Sequence, residues 1–458
     1  MNNYEKSANP LGTQRVGVLL RRFATPSIIA MLVGALYNIV DQFFIGNRVG
    51  ELGNAATNIA FPLSTSCVAI ALLFGIGGAS LFNLEVGRGN TNKAIYYIGN
   101  ASVLLFVCGL ILCFITQLFL EPMLVFFGSP VNVLGYAKTY TRITSFGFPF
   151  LIFATGAGHL IRADGSPKMT MICNLTGAVI NTVLDAIFVF GLDLKMAGAA
   201  VATVIGQIVS ALIAVIYMTR FKTESIKKEH LILRWEYIKK LIAYGLSPFS
   251  NQVAMMIVQI VMNKSLKYYG SISEYGESIP IACSGIISKV NMVFFSFIIG
   301  ISQGLQPIVS FNYGAGKYGR VKQAYMLAIK VGFALSLVAF ILFEVFPHEI
   351  ISAFGNGSDL YYSFATSYFR IFLFFTFLNF LQPITSNSFT AIGKPLLGVF
   401  LSLTRQILFL LPLIVFLPIF MGMDGILYAG PIADFFAFII CAIMIRKEFA
   451  REEYTEKM

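Results

Sequence analysis

Charge is scarce in this chain. Of 458 residues, 12% are Asp, Glu, Lys or Arg, while 57% are hydrophobic. A soluble domain usually carries about 25% charged residues. So few charges cannot cover a soluble fold holding that much apolar surface, which excludes a soluble enzyme and a disordered chain. Histidine is scarcer still, at three residues. No Ser/His, HExxH or GxGD-type arrangement falls in an apolar stretch, and no selectivity-filter run appears, so neither an intramembrane enzyme nor a channel is expected. The six cysteines (Cys67, Cys108, Cys113, Cys173, Cys283, Cys441) form no CxxC and no Cys/His cluster. A disulfide framework or metal centre is therefore not indicated, and they read as small buried hydrophobes. No short apolar run ends in a small-residue cleavage site near the N-terminus. Arg21-Arg22 lead into a full-length span, so an uncleaved first helix is expected.

What is present is a series of long apolar runs. A helix crosses the hydrocarbon core with about 20 mostly apolar residues. Twelve such spans are expected, near 23–45, 58–82, 94–118, 139–160, 170–191, 197–219, 241–264, 280–308, 324–346, 362–385, 396–418 and 424–445. The net charge of +11 would raise the question of nucleic acid in a soluble chain. Here it reads as the positive-inside bias, and no nucleic-acid partner is expected. With both termini cytoplasmic, 23 Lys and Arg fall in inner segments and five (Arg48, Lys138, Lys195, Lys264, Lys267) in outer ones. Segment 220–240 (RFKTESIKKEHLILRWEYIKK) is the longest and most basic inner loop, and it is expected to run as an amphipathic surface helix. The expected organisation is an N-terminal six-helix bundle over 1–219, a linker over 220–240, and a C-terminal six-helix bundle over 241–458.

The halves are weakly self-similar. Ala163-Asp164-Gly165-Ser166-Pro167 and Ala391-Ile392-Gly393-Lys394-Pro395 share A-x-G-x-P at a shift of 228 residues. Gly87-Arg88-Gly89 answers Gly314-Ala315-Gly316, Met196 and Gly198 answer Met423 and Gly425, and Pro26 answers Pro248. Matches in one order at nearly one shift indicate parallel repeats. The fold class is all-α integral membrane, twelve helices in two pseudo-symmetric six-helix bundles, an architecture of transporters with a central cavity.

Ionisable residues inside spans are costly and mark candidate sites. Asp41 in span 1, Asp185 in span 5 and Thr203 in span 6 fall about 6–9 Å below the outer boundary at 1.5 Å per residue. Asn181 lies one turn from Asp185 on the same face. All the potential ligands are oxygen, which suits a hard cation such as Na+. Equally, two carboxylates in low dielectric do not both ionise, so the pair can carry a proton. The second half has no copy of this pair. Asp434 answers Gln207 and is a candidate either for the cavity or as a packing partner of Arg405 or Arg370. Glu344 is expected at the outer surface. Tyr37 and Asn38 lie on the Asp41 face, and Met256, Gln259 and Asn263 form one stripe on span 7. These are candidate cavity residues for a flat organic cation. Pro26 removes a backbone hydrogen bond from span 1 and is a candidate hinge.

The stretches YNIVDQFFIG, RADGSPKM, NTVLDAIFVFGLDLKMAGAAVAT and FNYGAGKYGRVKQA resemble those of MATE (multidrug and toxic compound extrusion) transporters of the DinF-like and MepA-like bacterial branch. The resemblance covers nearly the whole chain. It implies a 6+6 bundle in the bacterial plasma membrane, sufficient as a monomer. It also implies export of amphipathic organic cations through an alternating cleft, driven by inward H+ or Na+, with no cofactor. The family's N-lobe site carries over to Asp41, Asn181, Asp185 and Thr203. The acid that another branch has in helix 7 is absent, with Gln259 and Asn263 the nearest polar residues. A lipid-linked saccharide flippase of the same superfamily is the alternative.

Overall fold

The computed structural model describes residues 9–353 and 358–454, and among these no strand occurs. The long helices are α1 (Val16–Arg48), α2 (Glu51–Gly87), α3 (Thr91–Leu118), α4 (Val131–Ser145 and Phe148–Ala163), α5 (Pro167–Gly191), α6 (Lys195–Met218), α7 (Trp235–Ser271), α8 (Ser278–Gly314), α9 (Tyr318–Val345), α10 (Asp359–Ala391), α11 (Pro395–Met421) and α12 (Met423–Phe449). Eleven pass as membrane spans outright. The twelfth, α4, passes as a pair bent by 56°. Helix is the form that apolar segments of this length take in lipid, because every backbone donor and acceptor must be satisfied within the segment. The helices extend beyond the expected spans at most ends, since polar flanking turns continue the same hydrogen-bond ladder.

The linker differs from expectation. Instead of an amphipathic helix, residues 220–234 are irregular apart from one 3-10 turn at Lys228–Leu231, and α7 already begins at Trp235. The segment is held by side-chain bonds rather than by its own ladder. The amide of Asn100 in α3 donates to the carbonyls of His230 and Ile232, and its oxygen accepts from Arg234 N. His230 is buried against Tyr96, ring to ring at 4.7 Å.

The repeated turns adopt one geometry in both halves. Gly165 and Gly393 sit at φ 78° and 83°, and Gly89 and Gly316 at 84° and 69°, where glycine avoids the Cβ penalty. A second symmetry appears in the fourth span of each half. The bend in α4 lies at Phe146-Gly147, and α10 is interrupted at the equivalent place by the 3-10 turn Thr376–Leu378.

The halves meet through α1 against α8 and α2 against α7. Here backbones touch. A Cβ on Gly87 would meet Phe311 O at 2.2 Å, and one on Gly314 would meet Leu84 O at 2.1 Å, a reciprocal contact across the pseudo-twofold axis. Hydrogen bonds joining the halves run from Gln306 to Ser80 and Ile76 O, from Asn312 and Arg320 to Leu11 O, and from Lys317 to Gly12 O. The Ser296 to Met31 O bond lies at mid-span. Among the described residues, those bonds occupy the middle of the spans and the face where the termini lie. None joins the halves near the opposite, far face.

Candidate ion-coupling site

Helices α1, α5 and α6 bring the N-half polar residues together. Helix α1 packs along α5, and α5 along α6. The α5–α6 approach depends on glycine, with Gly177 and Gly206 facing each other's backbones. Asp185 is fully buried, with Asn181, Thr203 and Asp41 2–7% exposed. Asn181 Nδ2 donates to Thr203 Oγ1 at 3.3 Å. The Asp41 and Asp185 carboxyl groups lie within hydrogen-bonding reach of each other. Two carboxylates offer only acceptors, so a bond between them forms only when one of them carries a proton.

The decisive feature is what these oxygens lack. Both Asp185 oxygens, Asp41 Oδ1 and Asn181 Oδ1 are buried and accept no hydrogen bond from protein donors. Buried acceptors are nearly always satisfied, and each one left bare is costly. A proton between the acids, or a cation ringed by the oxygens, supplies what is missing. Immediately after Asp185, helix α5 widens into a π-helical turn over Ala186–Gly191, an irregularity frequent at functional sites. Toward the far face, Phe190 meets Phe44 edge-on at 5.6 Å, and Arg48 Nε pairs with Asp193 Oδ1 at 2.9 Å. These contacts clasp the end of α1 to the α5–α6 turn, where Asp193 and Lys195 both hold φ 51°.

Tyr37 joins the cluster, close to Thr203 and to both acids. Tyr140 of α4 does the same from the other side, and it is absent from the sequence-based set. Nothing in the sequence marked it among 20 tyrosines. The other candidates lie elsewhere. Asn38 is exposed and donates to Gly34 O within its own helix. On α7, Gln259 donates to Asn263 at 3.0 Å, both exposed, with Met256 half-buried beside them. Helix α1 runs unbroken through Pro26, gripped on either side by Gly304 against Ala24 and Gly300 against Ile28. Glu344 lies at the end of α9, half-buried, and its Oε1 lacks a donor.

In the C-half, Asp434 is paired. Arg405 Nε donates to its Oδ1 at 2.5 Å and Asn379 Nδ2 to its Oδ2 at 3.0 Å. Asp434 is a packing partner of Arg405, the second of the two roles open to it.

Comparison with known proteins agrees with this architecture. The MatE family model matches residues 26–187 and 252–416, most of the chain. The chain belongs to the MATE family. The multidrug export protein MepA of Staphylococcus haemolyticus is 25% identical over 93% of this chain and 91% of its own length. The MATE multidrug transporter DinF-BH, solved in complex with a small-molecule ligand, is 33% identical, with a TM-score of 0.89 over 97% of this chain and 98% of that one. A MOP superfamily transporter from Pyrococcus furiosus shares the fold at a TM-score of 0.89 and 20% identity. The twelve-helix transporter fold of this MATE chain is thereby established.

Proposed function

We propose that this MATE chain exports amphipathic, mostly cationic organic compounds across the plasma membrane in exchange for inward H+ or Na+. The carrying observation is the buried pair Asp41–Asp185, whose oxygens, with that of Asn181, lack donors. A proton or Na+ bound there neutralises an otherwise expensive cluster, so occupancy changes the relative energies of two packings of α1 against α5 and α6. Asp41 and Asp185 hold the charge, Asn181 and Thr203 complete the oxygen set, and Tyr37 and Tyr140 wall it. Pro26 is the place where α1 can bend at least cost, since no N–H bond is lost there. The bias of Lys and Arg puts the terminal face in the cytoplasm. Bonds between the halves on that face then correspond to a cleft open to the outside, one end of an alternating-access cycle. Drug export by MepA and the small-molecule complex of DinF-BH support an organic substrate. A flippase for lipid-linked saccharides would need basic side chains in its spans free for phosphates, and of Arg370 and Arg405 the second is occupied by Asp434.

The test uses purified protein in liposomes loaded with an organic cation dye, under a Na+ gradient or a proton gradient applied separately. Dye movement under one gradient, lost in Asp41→Asn, supports the reading and identifies the ion. A folded wild type that moves no dye under either gradient overturns it.

A further inference from the structure

A groove on the perimeter of the C-half has no part in the mechanism above. It lies between α10 and α12, encloses about 490 Å³, and is walled by Phe374, Phe375, Tyr428, Ile432, Phe435 and Phe436, with Arg370 also lining it. Its volume is that of a small-molecule site. Two facts place it on the outside of the bundle. Helix α12 packs on α7, α10 and α11 of its own half, with no substantial contact to α1 or α2. Its inward face is taken by Gly430, Ala433, Asp434 and Ala437, all buried, so Tyr428, Phe435 and Phe436 point the other way and are exposed. In a membrane that direction is lipid.

An apolar groove facing acyl chains is ordinary by itself; the guanidinium is what gives it a chemistry. Arg370 is exposed and forms no hydrogen bond or ion pair among the described residues. It acts electrostatically on Glu344 at the end of α9 without forming an ion pair with it. Along α12, Tyr428 to Phe436 spans about 12 Å at 1.5 Å per residue. Tyr428 lies near the far-face end of α12, which starts at Met423, and Tyr is at home at the membrane–water boundary. The groove therefore runs from an interfacial end down into the hydrocarbon, the course of one acyl chain of the far leaflet.

We propose that this groove binds a phospholipid with an anionic headgroup from that leaflet. The phosphate is held by the Arg370 guanidinium, whose fork matches two phosphate oxygens, and one acyl chain lies along Phe374, Phe375, Phe435 and Phe436.

Purified protein would be exchanged into micelles doped with phosphatidylglycerol or with phosphatidylcholine of identical chains, and retained lipid counted by native mass spectrometry. Wild type is expected to retain one phosphatidylglycerol at least roughly ten-fold better than phosphatidylcholine, because the choline cation beside the same phosphodiester opposes the guanidinium and removes about one charge-assisted contact's worth of attraction. Arg370→Gln should erase that preference while leaving weak retention of both lipids, and Arg370→Lys should restore part of it. Ile432→Trp, which fills the groove, should abolish retention of both. Thermal melting and gel filtration confirm folding of each variant. Equal retention of the two lipids by wild type overturns the proposal, as does a preference that survives Arg370→Gln. A dimer that dissociates on Ile432→Trp would also overturn it, by showing that a second copy of the chain fills the groove.

Discussion

Asp185 and Asp434 are both buried acids in membrane spans, one per half, yet they meet opposite company. Asp185 faces another carboxyl and oxygens without donors, whereas Asp434 accepts from a guanidinium and an amide. The surroundings are otherwise alike. Each half interrupts its fourth span, and each places the equivalent residue of its sixth span beside that interruption. Gln207 lies against Gly147 in the N-half, and Asp434 bonds Asn379 in the C-half. The repeat thus built one scaffold twice and filled it differently. Paired as it is, Asp434 is a structural charge, while the acids of the N-half have no such partner, which is the ground of the coupling role proposed for them. A buried acid inside a span is a reason to look for function, and the presence or absence of its partner tells which kind it is.

Substitutions in the two halves sharpen or break that contrast. The largest effect is expected from Asp185→Asn, which should drop gradient-driven dye transport to the level of protein-free liposomes while leaving the melting temperature unchanged or raised, because it removes a carboxyl from a donor-poor site. Transport that persists would place coupling elsewhere. Asp434→Asn should do the reverse. Stranding Arg405 is expected to cost about 3–5 kcal/mol, read as a lower melting temperature, and Asp434→Leu with Arg405→Met should recover most of it. If Asp434→Asn is stable but fails to transport, the contrast between the halves falls.

The ties of the A-x-G-x-P turns come next. In the N-half, Asp164 accepts from Tyr217, Lys222 N, Thr223 N and Thr223 Oγ1. In the C-half, Lys394 of the equivalent turn pairs with buried Glu448 of α12. Asp164→Ala leaves two backbone donors without acceptors and should cost about 1–3 kcal/mol, seen first as proteolysis within 220–234. Protection equal to wild type would mean that Asn100 alone holds the linker. The smallest effects belong to Gly165→Ala and Gly393→Ala, each about 1 kcal/mol for a left-handed alanine. Gly393→Ala should cost more, since its Cβ meets Tyr244 Oη at 3.2 Å while Gly165 faces open space. Equal melting shifts would deny Tyr244 that role.

Much of the site was legible because membrane burial makes charge conspicuous. Asp41 and Asp185 stood out as acids in apolar runs, Asn181 followed by helical spacing, and Thr203 by depth. Tyr140 was hidden because an aromatic in a span carries no such cost. Asn38, chosen by the same helical spacing, stays out of the cluster, because spacing fixes an angle only to within a face and its amide turned to its own backbone. The linker misled for a related reason. An amphipathic pattern of basic and apolar residues was present, but Asn100 and Tyr96 offered tertiary partners for its backbone and for His230 that outweighed a marginal isolated helix.

The sequence by itself determined the number of spans, their pairing into two repeats and the level at which the N-half acids lie, because lipid imposes length, apolarity and internal hydrogen bonding on every segment. Which acid meets which partner was decided only in three dimensions. Arg405, Asn379 and Asp434 come from three different helices, and no spacing along the chain records that they touch. The same holds for the seal between the halves and for the groove beside Arg370, where what matters is which faces are left over once the helices have packed.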